Sequence, residues 1–204
     1  MTNLGELKAY GYGIMVFSPE KFNQFLKDRK CRARKYLTYF DNNKEVFFDL
    51  IKAGILLPFY KICAYEYEIF VTMNESKISI PSGYKQVYCH KDFCVKVENG
   101  KLCLANFDFL EYHKEKIDNE QTDYGVEIPT GAKKIMEWYN YAIGLNLESG
   151  EYQFDLYGLK RIEIVERKSK NFGFLFVFRK AENTMNDNFN KCDNDKNNFD
   201  IASY

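Results

Sequence analysis

DFCVKVENGKLCLANFD, residues 92–108, is the stretch on which the fold turns. Asn99-Gly100 is the dipeptide favoured in a two-residue type I′ hairpin, whose central positions both need positive φ. A hairpin closed there pairs Glu98 with Lys101, Val97 with Leu102 and Val95 with Leu104, which sets acid against base and apolar against apolar. The chain is therefore expected to build an antiparallel sheet from local hairpins.

Working outward, the stretch belongs to a two-copy pattern. ISIPSG (78–83) returns as VEIPTG (126–131), and ENGKL (98–102) returns as ESGEY (148–152). A turn at Ser149-Gly150 pairs Leu147 with Tyr152 and Leu145 with Phe154, although it sets Glu148 against Glu151. Pro81 and Pro129 lack an N–H and end ladder pairing in each copy. The pattern, with copies at about 78–110 and 126–158, repeats framework and no reactive side chain.

Towards the N-terminus, GYGIMVF (11–17) reads as a strand. Pro19 after Ser18 reads as a helix start, with Ser18 as its cap. Phe22, Leu26, Ala33, Leu37 and Phe40 share a helical face, and Arg29 interrupts it, so the helix either breaks near 28–31 or turns Arg29 outward. Asp41 or Asn42 is expected to cap a second helix carrying Val46, Phe47, Leu50 and Ile51, stopped at Gly54. In YKICAYEYEIFVTM (60–73), Cys63, Tyr65, Tyr67, Ile69 and Val71 occupy one strand face, and Glu66 and Glu68 the opposite, solvated one. NESK (74–77) reads as a turn, and LKRIEIVE and FGFLFVFRK as two further strands around RKSKN. The expected fold is α+β: an N-terminal strand and helical pair packed on an antiparallel hairpin-built sheet or sandwich. It forms a single domain over 1–180, with a soft boundary near 54. The Asn-rich tail, 181–204, is expected to be disordered.

The 204 residues carry 29 basic and 29 acidic side chains, so net charge draws the molecule to neither nucleic acid nor an anionic membrane. The longest apolar run, GILLPF (54–59), is too short to span a bilayer, and the N-terminus lacks a secretory pattern. Six cysteines in such a chain read as free thiols in a reducing cytoplasm.

Catalytic chemistry finds no constellation. His90 and His113 are the available histidines. Adjacent residues on a strand point to opposite faces, so His90 does not activate Cys89. Cys89, His90, Cys94 and Cys103 match no zinc spacing, and no metal or cofactor is expected. GYG lacks a phosphate-cradling loop. Two charged runs remain. The first is basic, with Lys27, Arg29, Lys30, Arg32, Arg34 and Lys35, and suits phosphate or an acidic partner. The second is an exposed acidic connection carrying Glu111, Glu115, Asp118, Glu120 and Asp123, which suits a basic protein partner.

In size, A+T-rich composition and mixed α/β texture the chain resembles the bacterial immunity proteins that neutralise toxins delivered between competing cells. The resemblance is one of whole-chain character. Neither ISIPSG nor VEIPTG carries it, so no functional residue transfers. It implies a non-catalytic cytoplasmic protein that binds one cognate toxin domain; if that toxin is a nuclease, the acids at 111–123 are the natural contact. Two alternatives are a nucleic-acid or phosphate-binding module using the basic run, and a hydrolase gathering His90 or His113 with carboxylates in a pocket.

Overall fold

The computed structural model describes residues 1–74, 78–131, 134–166, 170–181, 187–193 and 195–204. Its first strand, β1 (Thr2–Lys8), has no clean alternation in sequence because a bulge between Asn3 and Gly5 shifts its register. β2 (Gly13–Phe17) follows as expected. Pro19 opens α1 (Pro19–Asp28), but the Ser18 hydroxyl makes no capping bond and is buried without a partner. The chain then breaks, with Lys30 at φ 53°, before α2 (Tyr36–Asn42). Asp41 and Asn42 belong to α2 and cap nothing; Asn43 precedes α3 (Lys44–Lys52). Gly54, at φ 68°, ends α3: its N–H bonds Ile51 O at 3.0 Å while Ile55 N–H bonds Leu50 O at 3.0 Å, the paired bonds of a Schellman stop.

Next come β3 (Leu56–Tyr60), β4 (Glu66–Met73), β5 (Tyr84–Val97) and β6 (Lys101–Asn106). Asn99 and Gly100 take φ of 49° and 72°, and Lys101 N–H bonds Glu98 O at 3.2 Å, so the local turn forms. The hairpin nevertheless stops at the single pair Glu98–Lys101. β5 pairs along its length with β9 (Gly150–Arg161), and β6 pairs with β8 (Ile135–Asn146). The two ladders are one. Val97 faces Gly150 and Lys101 faces Asn146, four positions on along each chain, and Leu147 N–H bonds Gly100 O at 2.9 Å between them. Asn99-Gly100 and Ser149-Gly150 therefore lie side by side where a long antiparallel ribbon bends, and neither Val97–Leu102 nor Leu147–Tyr152 pairs. Two-residue hairpins would have left most of the 14 residues of β5 without partners.

The matched Pro-Gly segments also differ. In ISIPSG, Ile78 and Ile80 run without strand structure and pack against an outer apolar cluster of Phe70, Tyr84, Tyr157, Leu159, Leu175 and Val177. VEIPTG lies in a strand, β7 (Tyr124–Thr130), joined to β8. With β10 (Phe172–Lys180), the sheet has ten strands in the order β3-β2-β6-β8-β1-β4-β10-β9-β5, with β7 attached to β8. It is mixed: β1–β8 and β4–β10 are parallel. The sheet curls until its ends approach, where Lys96 N–H bonds Gly54 O at 2.8 Å, giving a nearly closed barrel. The interior holds Leu7, Ile14, Phe59, Tyr67, Phe93, Phe154 and the phenylalanines of β10. Helices α1 to α3, with α4 (Phe107–Tyr112) and α5 (Lys114–Asp118), cover the outside of β2, β3 and β6 through Phe22, Leu26, Tyr36, Phe40, Leu50, Phe109 and Ile117.

Three further expectations are corrected. Glu66 is buried and ion-paired with Lys8 at 3.3 Å, while Glu68 pairs with Arg161 at 2.9 Å, because β4 is flanked by β1 and β10 and covered on both faces. Of LKRIEIVE, only Leu159–Arg161 continues a strand, and Ile162 and Ile164 are exposed. The described residues of the tail are no disordered appendage: Phe199 and Ile201 join the interior, and α6 (Asn188–Lys191) lies on the seam. There the Asn188 carboxamide accepts from Cys94 N–H at 2.8 Å and donates to Cys94 O at 2.6 Å, as a neighbouring peptide group would. Apart from Asn74 and Lys170–Asn171, the turns expected at NESK and RKSKN lie outside the described residues. All six cysteines are free thiols.

Candidate functional site

Two glycines bring the candidate site together. Gly11 has φ 72°, and a Cβ there would fall 2.8 Å from Phe107 Cβ and 3.3 Å from Asp108 Oδ1. A Cβ on Gly13 would strike the Phe107 ring at 2.5 Å. GYG thus lets the single 3-10 turn Tyr10–Tyr12 lie directly on the first turn of α4, with Tyr10 beside Asp108. Asn106 fixes that turn by accepting from Phe109 N–H at 2.9 Å and donating to Lys8 O at 2.9 Å.

The Tyr10 ring lies 5.2 Å from Tyr141 and 6.4 Å from Tyr139. His113 follows, 5.4 Å from Tyr141 and 4.6 Å from Tyr124. Lysines lie over the ends of this strip. Lys8 Nζ is 5.6 Å from the Tyr10 centroid and 5.2 Å from that of Tyr139, while Lys116 Nζ is 5.4 Å from that of Tyr124. Each lysine has a carboxylate partner: Glu66 for Lys8, shared with Lys170 at 3.4 Å, and Glu115, at 3.6 Å, for Lys116. Asp108 is left over: among the described residues no donor or cation is bonded to its carboxylate. Burial raises its pKa, with a further push from Glu111 that His113 opposes. Burial, reinforced by Lys116, lowers that of His113, which is therefore neutral at pH 7. Burial raises Tyr10 and Tyr141 as well, with Asp108 adding to both. Among the described residues no hydrogen bond joins His113 to Asp108, and no Ser, Thr or Cys hydroxyl or thiol is bonded to either.

The strip continues onto an arm. Residues 135–139 of β8 pair only with β7, and the ribbon projects from the sheet. Val126, Ile128 and Ile135 share the face of Tyr139; Pro129, Met136 and Trp138 lie on the other. Trp138 is 61% exposed, Ile135 60% and Met136 53%. The indole lies over Gly125, where a Cβ would come within 2.6 Å of it, and its N–H bonds Asn140 Oδ1 at 2.8 Å.

The acidic connection is not an exposed loop, because residues 107–118 fold into α4 and α5. Glu111 is only 8% exposed and accepts from Thr38 N–H and Oγ1 at 3.0 and 2.6 Å. Asp118 accepts from Tyr36 OH at 2.9 Å and pairs with Lys114, and Asp123 accepts from Gly144 N–H at 2.9 Å. Glu120 lies 3.9 Å from Lys101, and the Glu115 side chain is 78% exposed. Glu111 and Asp118 thus tie α4 and α5 to α2, and Glu120 and Asp123 reach β6 and β8, while Glu115, Asp118 and Asp123 stay exposed.

Only Lys27 of the basic run lies on α1. Arg29 pairs with Asp49 at 2.9 Å and stacks on Phe25, and Lys35 lies 3.7 Å from Glu111. Lys27, Lys30, Arg32 and Arg34 are exposed with no acidic partner among the described residues. His90 rests between Tyr88 and Phe199, its Nε2 3.1 Å from Asn198 O. Among the described residues no group of three or more His, Cys, Asp or Glu side chains is placed to hold a metal ion. Sequence reasoning missed Tyr10, Asp108, Tyr141 and Trp138. A tyrosine between two glycines was the available sign of close backbone approach.

No family model matches the chain, and no curated protein matches it. One solved structure, titled "Crocagin biosynthetic gene J", is similar over 89% of this chain and 100% of that one, at 10% identity and a TM-score of 0.46. Neither fold nor activity transfers at that distance.

Proposed function

We propose that this chain is a non-catalytic cytoplasmic binding protein that neutralises a cognate toxin domain, in the manner of the immunity proteins it resembles. The observation that supports this most is the β7–β8 arm, whose Trp138, Met136 and Ile135 are held out in solvent. Exposed aromatic and Met side chains on a rigid element are the usual anchors of a protein interface. The contact surface moves accordingly, from the acids at 111–123 to the arm and the tyrosine strip beside it. Pro129, which has no N–H, blunts the free edge of β7 against strand addition, so recognition falls to side chains.

The test starts at the neighbouring genes: a toxin domain encoded there is co-expressed with this chain, and the lack of one counts against the reading. The wild type should protect the cells and co-purify with the toxin. Trp138→Asp combined with Ile135→Asp should abolish both while the free protein stays folded. Protection that survives this double substitution refutes the arm as the contact. Glu115→Lys with Glu120→Lys should leave protection within a few-fold, since exposed rim charges mainly change association rate.

A second reading rests on the unpaired cations Lys27, Lys30, Arg32 and Arg34. If they contact phosphates, affinity for single- or double-stranded nucleic acid should fall steeply between 50 and 200 mM salt, by roughly tenfold or more for each two to three contacts. A flat salt dependence excludes it.

A further inference from the structure

We infer that Asp108, Tyr10, Tyr141 and His113 form a receptor for a guanidinium group, that of an arginine on the partner's surface. The argument begins with charge. Lys8 and Lys170 are matched by Glu66 and Glu6, and Lys116 by Glu115, whereas no cation is bonded to Asp108 among the described residues. A partly buried carboxylate with no donor has lost water without gaining a partner. The rings beside it supply the other half of a cation site. Tyr10 and Tyr141 lie 5.2 Å apart with their planes inclined by 31°, and Asp108 Oδ1 is next to Gly11, the residue after Tyr10, 3.3 Å from where a Cβ would fall. The strip already attracts cations: Lys8 lies over the rings of Tyr10 and Tyr139, and Lys116 over that of Tyr124.

Among biological cations, guanidinium fits this pairing best. It is planar and weakly hydrated, stacks on tyrosine, and offers a two-pronged edge to a carboxylate, whereas an ammonium is a hydrated point charge. The site lies on the Tyr139 face of the arm, so an arginine there would be contacted together with Ile135 and Ile128. This deepens the proposed function and depends on it for the arginine's source; the chemistry of the site is independent.

The full chain is titrated with N-acetyl-arginine methylamide and, separately, its lysine counterpart, and the aromatic side chains are followed by NMR. The arginine compound should shift the ring signals of Tyr10, Tyr141 and His113 saturably, at millimolar concentration, and bind at least about fivefold tighter than the lysine compound. Asp108→Asn should weaken it by about tenfold. Tyr141→Phe should retain binding and Tyr141→Leu lose most of it, with backbone spectra confirming that each variant is folded. No saturable shift, equal affinity for the two compounds, or full binding by Asp108→Asn overturns the assignment. Arginine binding without toxin neutralisation sinks the proposed function and leaves the site. Neutralisation with no arginine binding does the reverse.

Discussion

Asn188 shows how much a single polar residue carries here. Its carboxamide supplies the Cys94 peptide with both a donor and an acceptor where the sheet has run out of strands, and also reaches Ile51 O at 3.3 Å. Asn188→Ala removes both side-chain bonds to the buried Cys94 peptide and should cost about 2–4 kcal/mol, read as a lower urea midpoint with unchanged slope. Gly125 is a second such position. Gly125→Ala forces the Trp138 ring off the arm, and because the chain holds one tryptophan, its emission should shift red while far-UV circular dichroism stays constant. Asp108 has a signature in pH. Its pKa is raised in the fold, so ionisation at neutral pH opposes folding. Asp108→Asn should therefore be more stable than wild type at pH 7, and the advantage should vanish as pH falls towards 4. His113 acts with the opposite sign: its pKa is lowered, so its contribution is lost as pH falls from about 6.5 through the folded value, and His113→Gln should flatten that decline.

Among the elements, the bent ribbon organises the sheet. Gly100 sits at its bend with φ 72°, and a Cβ there would meet Leu147 O at 2.8 Å. Gly100→Ala thus combines backbone strain with a clash against the opposite chain and should cost more than the roughly 1 kcal/mol of the φ change alone. A free hairpin, with nothing opposite its turn, would pay only the φ term, so thermal unfolding of this variant separates the two arrangements. The helix signals were legible because they act within a few residues: Pro19 at the first helical position and Gly54 at the stop both behave as their chemistry demands. Capping was less legible. Ser18 and Asp41 have suitable side chains, but the Ser18 hydroxyl is buried with no partner among the described residues and Asp41 has been absorbed into α2.

Over the whole molecule, the polar tail finishes a barrel that its own composition gives no reason to expect. Phe199 is buried against Phe59, Phe93 and His90, so Phe199→Ala should destabilise the entire protein by about 3–5 kcal/mol rather than merely loosening the C-terminus. Only apolar residues at 199 and 201 hinted at this within an otherwise polar run. By itself the sequence determined the α+β class, the start of α1 at Pro19, the stop of α3 at Gly54, the turn at Asn99-Gly100 and the apolar character of β4 and β10. Each follows from forces between residues close along the chain. Which strand pairs with which, whether Glu66 and Glu111 face water, and whether Tyr10, Asp108 and Tyr141 meet at all were decided only by tertiary structure. Those contacts join segments tens of residues apart, and their free energy depends on the area buried and the backbone bonds completed when the sheet curls shut, quantities that no local pattern contains.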